Sequence, residues 1–412
     1  MDNFTKKEIV KFIEENDVKF IRLAFCDVLG NQKNISVMSH HIEKAFTQGI
    51  SFDASAISGF TDLTHSDLLL FPDPSTIAIL PWRPSQGRVV RMFCDIKRPD
   101  GSFFEGSQRY IIEKAQKRLA DEGYTCKIGS ECEFYLFKTD ENGEPTGVPY
   151  DSAGYLDIAP LDKCENIRRE ICLSLVNLGI TTERSHHEEG PGQNEIDFKY
   201  GSPLTAAEDL TTFKSVVTTI SAQNGLYASL RPKPIVNKSG NGLHINMSLY
   251  ENGKNIFLDE NGKISEKASW FAAGIMNRIR EITLFLNPTA DSYKRLGEFK
   301  APKYISWSYQ NRSQLIRIPA ASGQNGRMEL RSPDPMCNPF IGFSLLIAAG
   351  AEGIKNKEQL PESTDANLYD GSCGGLETLP MSLEEAKKEA RESKFVNDFL
   401  PKGVLDYILS AN

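Results

Sequence analysis

The chain has 412 residues, with 40% apolar and 25% charged side chains and a formal net charge of −8. That length and balance describe a globular protein of one large or two to three ordinary domains. With no basic stripe to neutralise phosphates, nucleic acid is excluded as the expected partner.

In chain order, Thr5 and Glu8 have capping-box spacing and open a helix over "TKKEIVKFIEEN". No apolar h-region precedes it, so no signal peptide is expected. "VKFIRLAFCDVLGNQKNISV" predicts two strands joined by a turn at Gly30-Asn31, and "STIAILPW" and "GRVVRMFCDI" add strand-like runs. Residues 1–100 are therefore expected to form a small sheet with a helix. A turn-rich link, "KRPDGSFFEGSQ" (97–108), is the expected boundary to a second domain over 106–412.

Beyond that link, helical patterns cover about 107–122, 163–178, 205–223, 266–286 and 338–356. The last includes "NPFIGFSLLIAAGAEGI", too short and Gly-rich for a membrane span and expected to be a buried helix. "YDGSCGGLETLP" (369–380) is expected to be a loop, and Ser382 with Glu385 caps a charged, solvated helix. The eight cysteines form no C-x-x-C pair and are read as small apolar fillers, which fits a reducing cytoplasm.

Four strand-like runs carry the chemistry. Residues i and i+2 of a strand point the same way. "GSECEFYLF" thus places Glu131 and Glu133 on one face, with Cys132 and Phe134 on the other. "GLHINMSLY" groups His244, Asn246 and Ser248; "GRMELRSPD" groups Arg327, Glu329 and Arg331. "HHEEGPGQNEIDF" supplies Glu188 before a Gly-Pro-Gly turn, then Glu195 and Asp197. Taken singly, each run is an antiparallel strand with a wet face. Taken together in one sheet, the faces would line a cavity whose carboxylates repel one another and lose solvation. Divalent cations resolve that, and oxygen-rich ligation with one imidazole suits Mg²⁺ or Mn²⁺ better than Zn²⁺. Arg312, Arg317, Arg327 and Arg331 add an anion-binding half. Cations with an arginine cluster are the equipment of phosphoryl transfer, yet neither glycine-rich nucleotide motif is present. "KSGNGLH" (238–244) offers only a loop where Gly240 or Gly242 lets backbone approach a ligand.

The segments "FDASAISGF", "PDGSFFEGSQR", "GSECEFYLF", "SHHEEGPGQNEIDFKY", "PKPIVNKSGNGLHINMSL", "NPTADSYKRL", "NRSQLIRIP" and "MELRSPDP" resemble, in order and over nearly the whole chain, type I glutamine synthetase. The resemblance implies an α+β protein with an N-terminal β-grasp domain and a catalytic domain built on a curved antiparallel sheet. It implies ATP as a substrate, two or three Mg²⁺ or Mn²⁺ ions, and activation of glutamate as γ-glutamyl phosphate before amidation by ammonia. It also implies a homo-oligomer in which neighbouring subunits of a hexameric ring share each site. By motif, Glu131, His244 and Glu329 would hold the cation nearer the transferred phosphate, and Glu133, Glu188 and Glu195 the other. Arg295 and Arg331 would clamp glutamate beside Gly240, and Arg312 would neutralise the phosphoryl group. Ser248, Arg317 and Arg327 would lie along ATP. Asp53, from the adjacent subunit, and Tyr155 would belong to the ammonium pocket.

Departures from the family pattern are specific. Ala54 and Ala56 flank Asp53 where the family has glycine and serine, and Ser239 replaces an asparagine. The family's C-terminal extension, which helps to lock two rings together, has no counterpart, so a dodecamer is left open beside the hexamer. In "KRLGEFKAP" (294–302), read as a lid loop, Lys300 stands where the family's lid glutamate helps to deprotonate ammonium. Three readings follow: Glu298 takes over and the product is glutamine; Lys300 pairs with an anionic group on a larger amine; or the protein is a catalytically inactive structural or regulatory relative.

Overall fold

The computed structural model describes residues 5–321, 323–370 and 375–411. Cys373 and part of the 369–380 loop lie outside the described residues. Two compact units divide the chain: residues 1–111 with 173–181 and 400–411 form one, and residues 112–172 with 182–399 form the other.

In the first unit the expected capping box forms: the Thr5 hydroxyl accepts from Glu8 N and the Glu8 carboxylate accepts from Thr5 N, opening α1 (Lys6–Glu15). β1 (Val18–Cys26) and β2 (Gln32–Met38) pair antiparallel. Their turn depends on Gly30 at φ +83° and on the Asp27 carboxylate, which accepts from Leu29 N and Asn31 N. α2 (Ile42–Thr47), β3 (Ile50–Asp53), β4 (Asp67–Pro72), β5 (Ala78–Ile79) and β6 (Arg88–Lys97) follow. The sheet order is β2-β1-β6-β4-β3 with β5 on β6, and β1 runs parallel to β6. Only Ala78 and Ile79 of "STIAILPW" are strand, because Pro74 and the Asp73 cap on Ser75 N draw residues 74–76 into a helical turn.

The second unit is built on a curled ten-stranded sheet. Its strands are β7 (Thr125–Thr139), β8 (Pro145–Pro149), β9 (Thr182–His187), β10 (Gln193–Phe198), β11 (Leu226–Ser229), β12 (Leu243–Glu251), β13 (Lys254–Asn255), β14 (Trp307–Tyr309), β15 (Ile316–Ile318) and β16 (Met328–Leu330). The main order is β14-β15-β16-β12-β7-β10-β9, and every pair is antiparallel except β14 with β15. The four runs with polar faces therefore share one sheet.

The helices from Gln108 to Phe399 are α3 (Gln108–Asp121), α4 (Glu165–Asn177), α5 (Pro203–Gln223), α6 (Glu266–Leu286), α7 (Ala290–Arg295), α8 (Pro339–Asn356), α9 (Leu383–Glu392) and α10 (Lys394–Phe399); α5 packs on β7 and β11, α8 on α5 and α6, and α9 on α6. Phe213 of α5 packs edge-on against Phe134 at 6.0 Å and lies tilted against Phe198 at 4.9 Å. The residues alternating with the carboxylates are thus the ones that seat the helix. α8 is buried along nearly its full length, and glycines on both helices account for how closely it approaches α6. A Cβ on Gly274 would lie 2.2 Å from Ala349 O, and one on Gly353 2.2 Å from Trp270 O. No helix among the described residues is long and apolar enough to cross a membrane. Lys294 and Arg295, read as part of the lid loop, form the last turn of α7 instead. The Thr289 hydroxyl, accepting from Ser292 N, opens that helix, and Leu296 ends it.

Candidate active site

β7 lies between β12 and β10, and the register across the three strands assembles the site. Glu131 faces His244 on one side and Asp197 on the other, while Glu133 faces Glu195. Asn246 faces Glu329 on β16, and Glu195 faces His186 on β9. Glu131, His244 and Glu329 bring ligand atoms within 4.8 Å of one another, with His244 Nδ1 3.3 Å from Glu131 Oε2 and 3.6 Å from Glu329 Oε1. This is the first of the two sets read from the sequence.

The second set assembles differently. Glu188 and Glu195 converge with His186, whose Nε2 lies 3.0 Å from Glu188 Oε1 and 3.9 Å from Glu195 Oε2. Glu133 lines the same cavity, but its Oε2 accepts from Gly242 N at 2.8 Å and Gln193 Nε2 at 3.0 Å. Asp197 joins Glu131 and Glu195 in a third cluster.

The electrostatics show what these clusters lack. Burial pushes the Glu133 carboxyl up to about 7 and the Glu195 carboxyl well above its ordinary range; Glu133 and Asp197 add to the effect on Glu195. Burial also raises Asp197, whose Oδ1 is buried with no hydrogen-bond partner. Burial acts the same way on Glu131, but the His244 imidazole and the Asn246 amide outweigh it and hold that carboxyl at about 2. At Glu329 burial is likewise outweighed, by Arg331 and His244, and both Arg331 and Arg317 form ion pairs with it. A crowd of hard oxygen donors, several disfavoured as bare anions, fits divalent cations of the Mg²⁺ or Mn²⁺ type.

Two cavities meet here. The first, about 250 Å³, is lined by Glu131 and His244 of the first set, by Glu133, Glu188 and Glu195, and by Gly240, Arg295, Arg312 and Arg331. Tyr155, Glu298 and Lys300 lie on the same wall. Arg295 is buried, donating from Nη1 to Ser332 O at 2.7 Å. It sits so close to Gly240 that a Cβ there would meet its Cγ at 2.9 Å and Pro232 O at 2.3 Å. The second cavity, about 450 Å³, takes in Ser248 and Arg327. Arg317 lines neither cavity, since its guanidinium is engaged by Glu329 and by Gln310 O at 3.2 Å.

Residues 105–412 match the family model for the glutamine synthetase catalytic domain, and residues 17–99 match that for the glutamine synthetase β-grasp domain. The chain belongs to the glutamine synthetase family. It is 44% identical to a glutamine synthetase of Clostridium saccharobutylicum and 45% identical to one of Methanosarcina mazei, each alignment covering 99% of this chain and 93% of the relative. Among solved structures it resembles a GmaS/ADP complex, with TM-score 0.87 and 28% identity over 97% of this chain and 93% of that one. It also resembles the Plasmodium falciparum glutamine synthetase, with TM-score 0.87 and 25% identity over 98% and 94%.

Against this glutamine synthetase framework, the segment 294–302 shows an unexpected pairing. Lys300 forms an ion pair with Glu189, which also accepts from Ser239 Oγ at 3.2 Å. The Tyr155 ring lies 5.7 Å from Lys300 Nζ and meets His186 edge-on. The Tyr369 hydroxyl donates to Lys300 O at 2.6 Å and approaches Arg312 O at 3.2 Å. Glu298 lines the cavity with its carboxylate in no hydrogen bond or ion pair among the described residues. Asp53 belongs to the first unit, where its carboxylate ends β3 by accepting from Ser55 N and Oγ.

Sequence reasoning missed Arg184, which lines both cavities and holds Asp197 with Nη2 at 2.6 Å. The signal was available: Arg184, His186 and Glu188 alternate along β9 into the turn. It also missed the role of Asn246, whose amide donates to Glu131 Oε1 and whose carbonyl accepts from Arg327 Nε, both at 2.9 Å.

Proposed function

We propose that the protein is an ATP-dependent ligase that activates the side-chain carboxylate of glutamate and amidates it with ammonia to give glutamine. Membership of the glutamine synthetase family supports the reaction class. The choice of ammonia rests on one observation: Glu189 takes up the charge of Lys300, which leaves Glu298 as the open carboxylate of the lid.

In this reading Arg295, Arg331 and Gly240 hold glutamate. Its γ-carboxylate oxygen attacks the terminal phosphorus of ATP and ADP leaves. Arg312 meets the charge on the transferring phosphoryl group, which calls for positioning and neutralisation more than covalent help. Ser248 and Arg327 line the wall taken by the nucleotide, and Arg317 acts through Glu329. Ammonium enters beside Tyr155 and gives up a proton to Glu298. Ammonia then attacks the acyl phosphate carbon, the C–O bond to phosphate breaks, and the departing phosphate takes the proton that the new amide nitrogen loses. Glu131, His244 and Glu329 would hold one divalent cation, and Glu188 and Glu195, with Glu133 beside them, a second. Such cations neutralise phosphate oxygens and polarise the group under attack. Asp53 is assigned to the ammonium pocket of an adjacent copy, in a homo-oligomer proposed to be a hexameric ring.

A second reading, a γ-glutamyl amine ligase, draws on the presence of Lys300 in the cavity wall. An acceptor screen that follows ADP release with ammonia, alkylamines, polyamines and amino acids separates the two. Turnover with ammonia alone supports glutamine synthesis, while turnover only with an anionic amine supports the second reading. ADP release that ignores glutamate rejects both. Bound nucleotide with no turnover points to a relative without ligase activity.

A further inference from the structure

Behind the acidic wall lies a buried network that the reaction does not use directly. Asp151, in the loop after β8, and His187, at the end of β9, are both fully buried and 3.0 Å apart, His187 Nε2 to Asp151 Oδ1. The same carboxylate oxygen accepts from Gly192 N at 2.8 Å. The other ring nitrogen, Nδ1, reaches Glu188 O at 2.7 Å. Both ring nitrogens therefore face oxygens of the network. The far oxygen of Asp151 accepts from Lys163 N at 3.0 Å and Cys164 Sγ at 3.3 Å.

This geometry grips both ends of one turn. Glu188 stands at its start and Gly192 at its end. Glu195 projects from a paired strand and needs no further support. Glu188 lies just beyond β9, where loop mobility would blur its carboxylate. Leu156 N also donates to His187 O at 3.0 Å, so the loop that carries Tyr155 is tied to the same imidazole residue.

We propose that the Asp151–His187 pair is the positioning device of the second cation site. By holding the Glu188–Gly192 turn against the Tyr155 loop, it places the Glu188 carboxylate opposite Glu195. The proposal rests on the two-cation reading above. Groups that orient a ligand without touching the ion typically govern affinity by about 10- to 100-fold.

The test is Mn²⁺ titration of the full-length protein, without substrates, followed by electron paramagnetic resonance. Glu188→Gln and Glu329→Gln serve as references for the two classes of site. Asp151→Asn is expected to lose about 10- to 100-fold in the class that Glu188→Gln weakens, and to keep the class that Glu329→Gln weakens. Phe271→Leu, a core change at the α6–α8 contact, controls for general destabilisation and is expected to keep both. If Asp151→Asn does not accumulate as folded protein, His187→Asn cuts the same link from the other side and carries the same expectation. Unchanged affinity in both classes overturns the proposal, and so does parallel loss of both. An unmodified protein that binds no Mn²⁺ overturns the two-cation reading and this proposal with it.

Discussion

Glu298→Gln removes the one lid carboxylate that is left open once Lys300 is paired, and it changes almost nothing else in shape. A unit charge about 5 Å from ammonium, at an effective dielectric of about 20, is worth about 3 kcal/mol. Glu298 is exposed, so solvent and salt reduce that to roughly 1–2 kcal/mol. The expected loss in kcat/KM for ammonia is therefore roughly 5- to 30-fold, with glutamate-dependent ATP binding retained. Glu189→Gln supplies the opposite perturbation by releasing Lys300. The broken pair is half-exposed, 61% at Lys300 and 30% at Glu189, so stability should change by less than about 1 kcal/mol. The freed ammonium group should nonetheless raise the KM for ammonia. Steady-state kinetics in ammonia, at fixed saturating ATP and glutamate, reads both. Unchanged ammonia kinetics in Glu298→Gln, together with improved use of an anionic amine in Glu189→Gln, would falsify the assignment of the lid.

Gly240→Ala should raise the KM for glutamate at least tenfold and leave nucleotide binding intact, because its Cβ would collide with Pro232 O and displace Arg295; equal losses for both ligands would contradict this. Asn246→Leu unties Arg327 from Glu131, and a lost hydrogen bond to a charged group, about 1.5–3 kcal/mol, should raise the KM for ATP roughly tenfold or more with glutamate KM unmoved. In metal-free protein, burial sets Glu133 at about 7 and Glu195 above its usual range, so the folded state holds protons that the unfolded chain releases. Thermal stability should be greatest near the unfolded carboxyl value and fall as pH rises through about 7, and saturating Mn²⁺ should remove that fall; parallel melting profiles with and without metal would rule this out.

The alternation on β7, β10 and β12 was readable because a pleated strand sorts neighbours with no help from the rest of the fold. So were the long helices, whose caps and periodicity are local. The partner of Glu188 and Glu195 was not. His186 enters that set through the pairing of β9 with β10, while Glu133, in the same cavity, is also held through Oε2 by Gly242 N from a loop 109 residues away. The sequence offers Lys300 no partner within the chain, since Glu189 lies 111 residues back. α7 escaped notice because a serine, not a glutamate or glutamine, completes its cap. The apolar stretch 338–354 was rightly placed inside the protein, but which helix its glycines admit is a property of the packed pair.

β7 places Glu131 and Glu133 between strands on either side, with Cys132 and Phe134 seated on the opposite face. A single inserted or deleted residue upstream in that strand would turn both carboxylates into the hydrophobic layer and bring Cys132 and Phe134 to the cavity. Point substitutions along β7 can be graded in their effect; a change in its length cannot. Descendants of this chain are therefore free to vary the length of the β7–β8 hairpin tip, where Gly143 and its neighbours are exposed, but not of the strand leading to Glu131.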